Sequence, residues 1–390
     1  MQDEKIDEIE SHNDSNIDID SSSNNDESHE EPKKPKRLKY ILSILFLLAL
    51  IVTTLIILFT KYDINKILKN LEGLNIKYII IGILLMFVYI LFEGLAMKII
   101  LRAMGERISV WDNFVYSAID YYFCAVTPSA TGGQPMVAYY MKKDRVPLTK
   151  TTIVLLINTA LFKIVLMTFS IIALIACPEY VFSRPVVIIL FILGFVINIF
   201  LVFMCFLGAF NRKGVEKLGN WLIIKLRQLK IVKKPLGARR TLRVKMEEYQ
   251  EGGRLILKHK GLMCLALGAN FIQRISMFAM SFCVYLAFIP VLKEANPDFV
   301  PLGFINLFAI QVIIALSVDS LPLPGGVGIS EWLYLFLFTF VYGTEMMVAS
   351  AMMVTRAVSF YIPLIVTMLI FIGKHISVIL KSRKREDKRW

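Results

Sequence analysis

Apolar residues run through this chain in long unbroken blocks, at about 40–60, 78–101, 150–177, 185–210, 261–289 and 345–372. A helix rises about 1.5 Å per residue and the hydrocarbon core of a bilayer is about 30 Å thick, so roughly 20 apolar residues mark one crossing. The pattern therefore predicts six membrane-spanning helices. Two further apolar segments, 110–141 and 302–341, do not fit a simple crossing. Each has an apolar arm, a Pro/Gly break and a second arm. The breaks are T-P-S-A-T-G-G-Q-P (Thr127 to Pro135) and L-P-L-P-G-G-V-G-I-S-E (Leu321 to Glu331).

Loop charge orients the spans, because lysine and arginine accumulate on the cytoplasmic side. A basic cluster (Lys33 to Lys39) precedes the first span, residues 211–260 hold 15 basic and 4 acidic side chains, and Lys381 to Arg389 is again basic. Both termini and the 211–260 segment are thus expected in the cytoplasm, although the link from Lys61 to Lys77, with four lysines, fits less well. With that orientation each broken segment must leave the membrane on the side where it entered. The expected fold is all-α and polytopic: about six full spans plus two re-entrant helical hairpins, or about eight membrane helices if hairpins are counted as spans. Irregular backbone at membrane depth is tolerated only inside protein or beside a wet cavity, so the breaks are expected to be functional.

Composition agrees with a membrane protein. At 56% hydrophobic residues and a mean hydropathy of +0.61, the 390-residue chain is too apolar for a water-soluble globular enzyme. Residues 1–31 hold 12 of the 31 acidic side chains and one lysine, a net charge of −11, which leaves +24 for the remainder. The expected organisation is a disordered acidic tail over 1–37, a transmembrane domain over 38–375 and a basic tail over 376–390. No apolar run precedes Tyr40, which excludes a secretory signal. Within 211–260, Trp221 to Lys230 sorts into apolar and basic faces and suits an anionic leaflet surface, so the basicity points to lipid and topology rather than nucleic acid. The five cysteines lie in apolar stretches without Cys-x-x-Cys spacing, and the four histidines lie in the tail or near membrane edges. Neither a metal site nor a cofactor is expected, and the usual hydrolase residues are not assembled.

Aligning Gly132-Gly133 with Gly325-Gly326 gives an offset of 193, which also carries Lys163 onto Arg356. By the charge assignment the two copies run in opposite directions, an inverted repeat of the kind that transporters use. A helix restarting after each Gly-Gly has unpartnered backbone N–H groups and a positive dipole end, which suit an anion. Thr127, Ser129, Thr131 and Gln134 add donors around the first break. The competing reading is that the glycines simply permit tight packing. Lys163, Arg274 and Arg356 fall near mid-depth, roughly 17–20 Å from the nearer helix end, where each ionised group costs about 2.5–3.5 kcal/mol. They either hold an anionic ligand or pair internally with Asp120, Asp319 and Glu331. Glu93 is placed at the interface.

The two break motifs together resemble the lysylphosphatidylglycerol synthase/flippase transmembrane family, over roughly residues 38–375. Its best-known members are the multiple peptide resistance factors, which join such a region to a soluble aminoacyl-transferase domain. The resemblance implies a lipid transporter that moves an anionic or aminoacylated phospholipid between leaflets of the cytoplasmic membrane. It implies that Thr127 to Pro135 and Pro322 to Glu331, including Gly132, Gly133, Pro324, Gly325 and Gly326, line a headgroup site. About twenty residues follow Phe371, too few for the transferase domain, so synthesis by this chain is not expected. The alternatives are a phosphatidylglycerol lysyltransferase, for which aminoacyl-tRNA would be the partner, and a carrier of polyprenyl phosphate.

Overall fold

A computed structural model describes residues 69–127, 130–210, 258–319 and 329–386. The expected span at 40–60, the acidic tail and most of 211–260 lie outside these residues, as do Ser129, Pro324, Gly325, Gly326 and the side chain of Glu331.

The described chain is helical: α1 (Ile76–Ala103), α2 (Val110–Val126), α3 (Gly133–Lys143), α4 (Leu148–Ala176), α5 (Pro185–Phe210), α6 (Lys260–Ala295), α7 (Phe304–Asp319), α8 (Ile329–Tyr342) and α9 (Glu345–Arg356). A π-turn (Ala357–Tyr361) joins α9 to α10 (Ile362–Glu386). Among the described residues five helices are long and apolar enough to cross a membrane: α1, α4, α5, α6 and the continuous α9–α10 run. Many of their apolar side chains face outward, such as Ile189 at 62% and Phe200 at 56% exposure on α5. In water such a surface would be a liability; in lipid it is the solvent-matched face. The chain is a polytopic helical membrane protein.

Local chemistry sets the helix ends. Asn75 caps α1 by accepting from the Lys77 N–H (3.3 Å), and Ser109 caps α2 by accepting from the Asp112 N–H (3.0 Å). Gly105 and Gly343 take left-handed φ values of 81° and 78° in the turns after α1 and α8. At one boundary the sequence misleads. Pro290 was expected to end the fifth span, but α6 continues to Ala295. One missing helix hydrogen bond is outweighed there because Val291 and Leu292 stay in the core, at 8% and 4% exposure.

The 193-residue offset reappears in the element bounds. Adding it to α1, α2, α3 and α4 gives 269–296, 303–319, 326–336 and 341–369, which overlie α6, α7, α8 and the α9–α10 run in order. The equivalent helices α1 and α6 pack antiparallel: Gly73 lies against Val291, the Asn75 N–H donates to the Ala287 carbonyl (3.1 Å), and Gly82 lies against Met280. Each half also lends its first arm to the other. On α2, Tyr122 stacks on Phe371 (5.5 Å) of α10, and the Tyr121 hydroxyl donates to the Ser359 carbonyl of the π-turn. On α7, Phe308 meets Phe169 (5.3 Å) of α4. The core is built from these exchanged contacts, in one cluster around α4, α6, α7 and α8 and another around α2 and α3.

Candidate functional site

The charged residues collect where the exchanged arms end. Asp319 is the last residue of α7, where a carboxylate opposes the negative end of the helix dipole. Two cations offset this. Lys163 on α4 puts Nζ 2.6 Å from Asp319 Oδ2, and Arg274 on α6 puts Nη2 3.7 Å from Oδ1. Lys163 also donates to Asn198 Oδ1 (3.1 Å), which α5 fixes by the Asn198 amide donating to the Gly194 carbonyl (2.8 Å). Lys163 and Arg274 are 8% and 4% exposed, so their charges are buried and need this partner.

Arg274 is only partly satisfied. Its guanidinium stacks 3.5 Å over the ring of Phe162, while Nε and Nη2 make no hydrogen bond among the described residues. The stacked face costs little, but the N–H edge keeps donor capacity that a buried group ordinarily spends. Arg274 belongs to the wall of a cavity of about 310 Å³, lined by residues of α6, α7, α8, α9 and the π-turn and by Ala130 of the first break. Arg356 of α9 lines the same cavity and donates from Nη2 to Ser330 Oγ (2.6 Å). Asp319, Gln311, Ser281, Tyr334, Thr355 and Ser359 supply further polar groups. Gln311 donates to Ser281, and Tyr334 bonds Thr355 (3.0 Å). Lys163 and Arg274 share the carboxylate of Asp319.

The first break is arranged differently. Thr127 Oγ1 donates to the Phe123 carbonyl (2.6 Å) and accepts from the Gly132 N–H (2.9 Å), so the threonine ties off the turn. A Cβ on Gly133 would strike Asp120 Oδ1 and Cys124 Sγ and lie 2.9 Å from the Asp120 carbonyl. Glycine is what lets α3 begin against α2. Gln134 donates to Thr159 Oγ1 on α4 (2.8 Å). These are the contacts of a tightly packed turn. Ala130, with a left-handed φ of 51°, is the residue of this break that lines the cavity; such a conformation costs an L-residue about 1–2 kcal/mol.

Asp120 contacts none of the three cations. Its nearest charged neighbour is Glu93 on α1, and Cys124 Sγ donates to its Oδ2 (3.9 Å). Glu93, expected at the interface, is half-buried on α1 beside Asp120. A carboxyl inside a span belongs in the same class as the mid-depth cations, and that signal was available in the sequence. Gln311 was missed too, because a lone amide in an apolar run carries no sequence signal of its own. Among the described residues no group of three or more His, Cys, Asp and Glu side chains is placed to hold a metal ion.

The site lies in a polytopic helical membrane protein, and comparison with known proteins specifies the family. The family described as lysylphosphatidylglycerol synthase TM region matches residues 40–367, and this chain belongs to it. No curated protein matches the chain.

Proposed function

We propose that this protein is a lipid transporter that moves an anionic or aminoacylated phospholipid between leaflets of the cytoplasmic membrane. The supporting observation is the cavity of about 310 Å³ in which Arg274 and Arg356 stand together, the first with unused donors. Guanidinium groups match phosphate oxygens in geometry as well as charge, and a dry setting strengthens the contact. The volume is that of a small-molecule site, about 300–1,000 Å³, and suits a headgroup whose acyl chains remain in lipid.

In this reading the two helix pairs are re-entrant hairpins of an inverted repeat, consistent with the antiparallel packing of α1 on α6. Both termini lie in the cytoplasm. Arg274 and Arg356 bind the phosphate, Lys163 holds Asp319 in place, and Asp319 receives a lysyl or alanyl amine. The break residues Ser129, Pro324, Gly325, Gly326 and Glu331 enter the proposal from the sequence alone. A polyprenyl phosphate would present the same anionic group.

The test is leaflet transfer of fluorescent phosphatidylglycerol in reconstituted vesicles, with a polyprenyl phosphate assayed in parallel. Lys163→Ala and Arg356→Ala are each expected to abolish transfer while the protein still inserts; unchanged transfer in both removes the site. The family's description favours a second reading, lysylphosphatidylglycerol synthesis. Formation of a new lipid from aminoacyl-tRNA and phosphatidylglycerol by the purified chain would establish it.

A further inference from the structure

A second cluster of cations lies away from the cavity, where α1 ends. The apolar block 78–101 closes there, so the segment that follows sits at headgroup level. α1 stops in a Schellman turn. Gly105 takes its left-handed φ of 81° and donates from N–H to the Arg102 carbonyl (3.1 Å), while the Glu106 N–H reaches the Leu101 carbonyl (3.0 Å). Lys150 of α4 braces this turn: its Nζ donates to the Met104 carbonyl (3.1 Å) and pairs with Glu106 Oε1 (2.7 Å). Ile108 packs on the core around α2 and α3, and Ser109 caps α2.

The braced turn brings Arg107 to Lys98 and Arg102, which are one helical turn apart on α1. With Glu106 and Ile108 these three line a pocket of about 360 Å³. Arg102 and Arg107 are exposed and Lys98 is half-buried. None of the three has an ion pair among the described residues, and the pocket's carboxylate, Glu106, is taken by Lys150. Two general effects favour cations here: the negative end of a helix dipole and the topology signal of loop charge. The dipole accounts for Arg102 in the last turn, but not for Lys98 more than a turn earlier or for Arg107 beyond the helix. Topology fixes the sign of the charge and not its convergence on one pocket. Like charges at i and i+4 oppose a helix, and a turn held in place gives Arg107 less room to part from them.

We propose that this pocket binds a phosphate group, carried by an anionic lipid headgroup or by a soluble phosphate. None of its lining residues lines the cavity of Arg274 and Arg356, and the proposal holds whether or not the protein moves lipid. The two arginines offer forked N–H donors to phosphate oxygens, and Lys98 adds a point charge. Basic pockets at the ends of membrane helices hold anionic headgroups in this way. The phosphate supplies the counter-charge that the protein withholds and ties the end of α1 to the turn leading into α2.

Two probes of the full-length protein test the site and distinguish its sources. In phosphatidylcholine vesicles with a trace of phosphatidylglycerol bearing a photoactivatable headgroup, peptide mass spectrometry is expected to find label within residues 98–108. Lys98→Gln/Arg102→Gln/Arg107→Gln should weaken that binding by about a hundredfold, about fivefold for each cation removed. Arg107→Gln alone, outside the helix, should give the fivefold loss and covers the case in which the triple variant fails to insert. Arg356→Ala should leave the label at 98–108 unchanged. The second probe is radiolabelled pyrophosphate, offered to the protein in neutral detergent. Pyrophosphate binding that the three substitutions weaken, without lipid label at this segment, assigns the site to a soluble phosphate; lipid label that they weaken assigns it to a headgroup. The site is overturned if neither probe responds to the three cations, or if added phosphatidylcholine displaces the label as well as phosphatidylglycerol does.

Discussion

Lys163 and Arg356 stand 193 residues apart on equivalent spans, yet they meet different partners. Lys163 finds Asp319 at the end of the arm that the second half lends to the first. The equivalent end of the first half's arm is Val126, and there Arg356 turns to Ser330 instead. The same asymmetry separates α1 from α6: Glu93 on one corresponds to Leu286, and Arg274 on the other to Ile81. One backbone plan is used twice, with different charged residues at equivalent positions of the two halves. A symmetric scaffold thereby gains an asymmetric site, which a protein needs if the two faces of the membrane are to be treated differently.

The largest expected effect tests the clamped half. Asp319→Ala leaves Lys163 and Arg274 buried without a carboxylate and is expected to lower stability by about 3–5 kcal/mol, measured by thermal unfolding in detergent micelles. The double change Lys163→Met/Asp319→Leu should recover part of that loss. If the double variant is as damaged as the sum of its single changes, the pair is not the unit described here.

Next comes the turn of the first half. Gly133→Ala pushes a methyl into Asp120 and Cys124 and should cost about 1–3 kcal/mol. Equal stability of this variant and wild type would mean that α3 does not pack on α2 this closely. Lys374→Met removes the links from α10 to Asp144 and Asp112 and is expected to cost about 1 kcal/mol. Added salt should shrink the difference from wild type, since Asp112 is 42% exposed. The smallest effect has the opposite sign. Gly268 on α6 has nothing within 4 Å of an added Cβ, so Gly268→Ala should stabilise by about 0.5–1 kcal/mol. Destabilisation by this change would show that the face of α6 bearing Gly268 is packed against another molecule.

Much of the architecture was legible because lipid imposes length. A block such as 150–177 can hardly be anything but a span, and the break at Gly132 marks where a helix must stop. Lys163, Arg274 and Arg356 were legible for the same reason, since an ion in an apolar block is an expense that asks for a cause. Their partners were not. Asp319 was one of three candidate carboxylates, and no spacing rule distinguishes a residue 156 positions from Lys163 from one 43 positions away. Asp120 was the nearer along the chain, yet Lys163 and Arg274 both turned to Asp319.

The sequence by itself determined the class of molecule, a polytopic helical membrane protein, because hydropathy and helix length are local quantities summed over a few turns. Only tertiary structure decided that each half's first arm crosses to the other, and so which acid meets which base. It also decided that Gly133 serves a close helix approach while Arg274 keeps buried N–H donors without a hydrogen bond. Such pairings depend on distances between segments far apart in the chain, set by packing of whole helices, and no local pattern carries them.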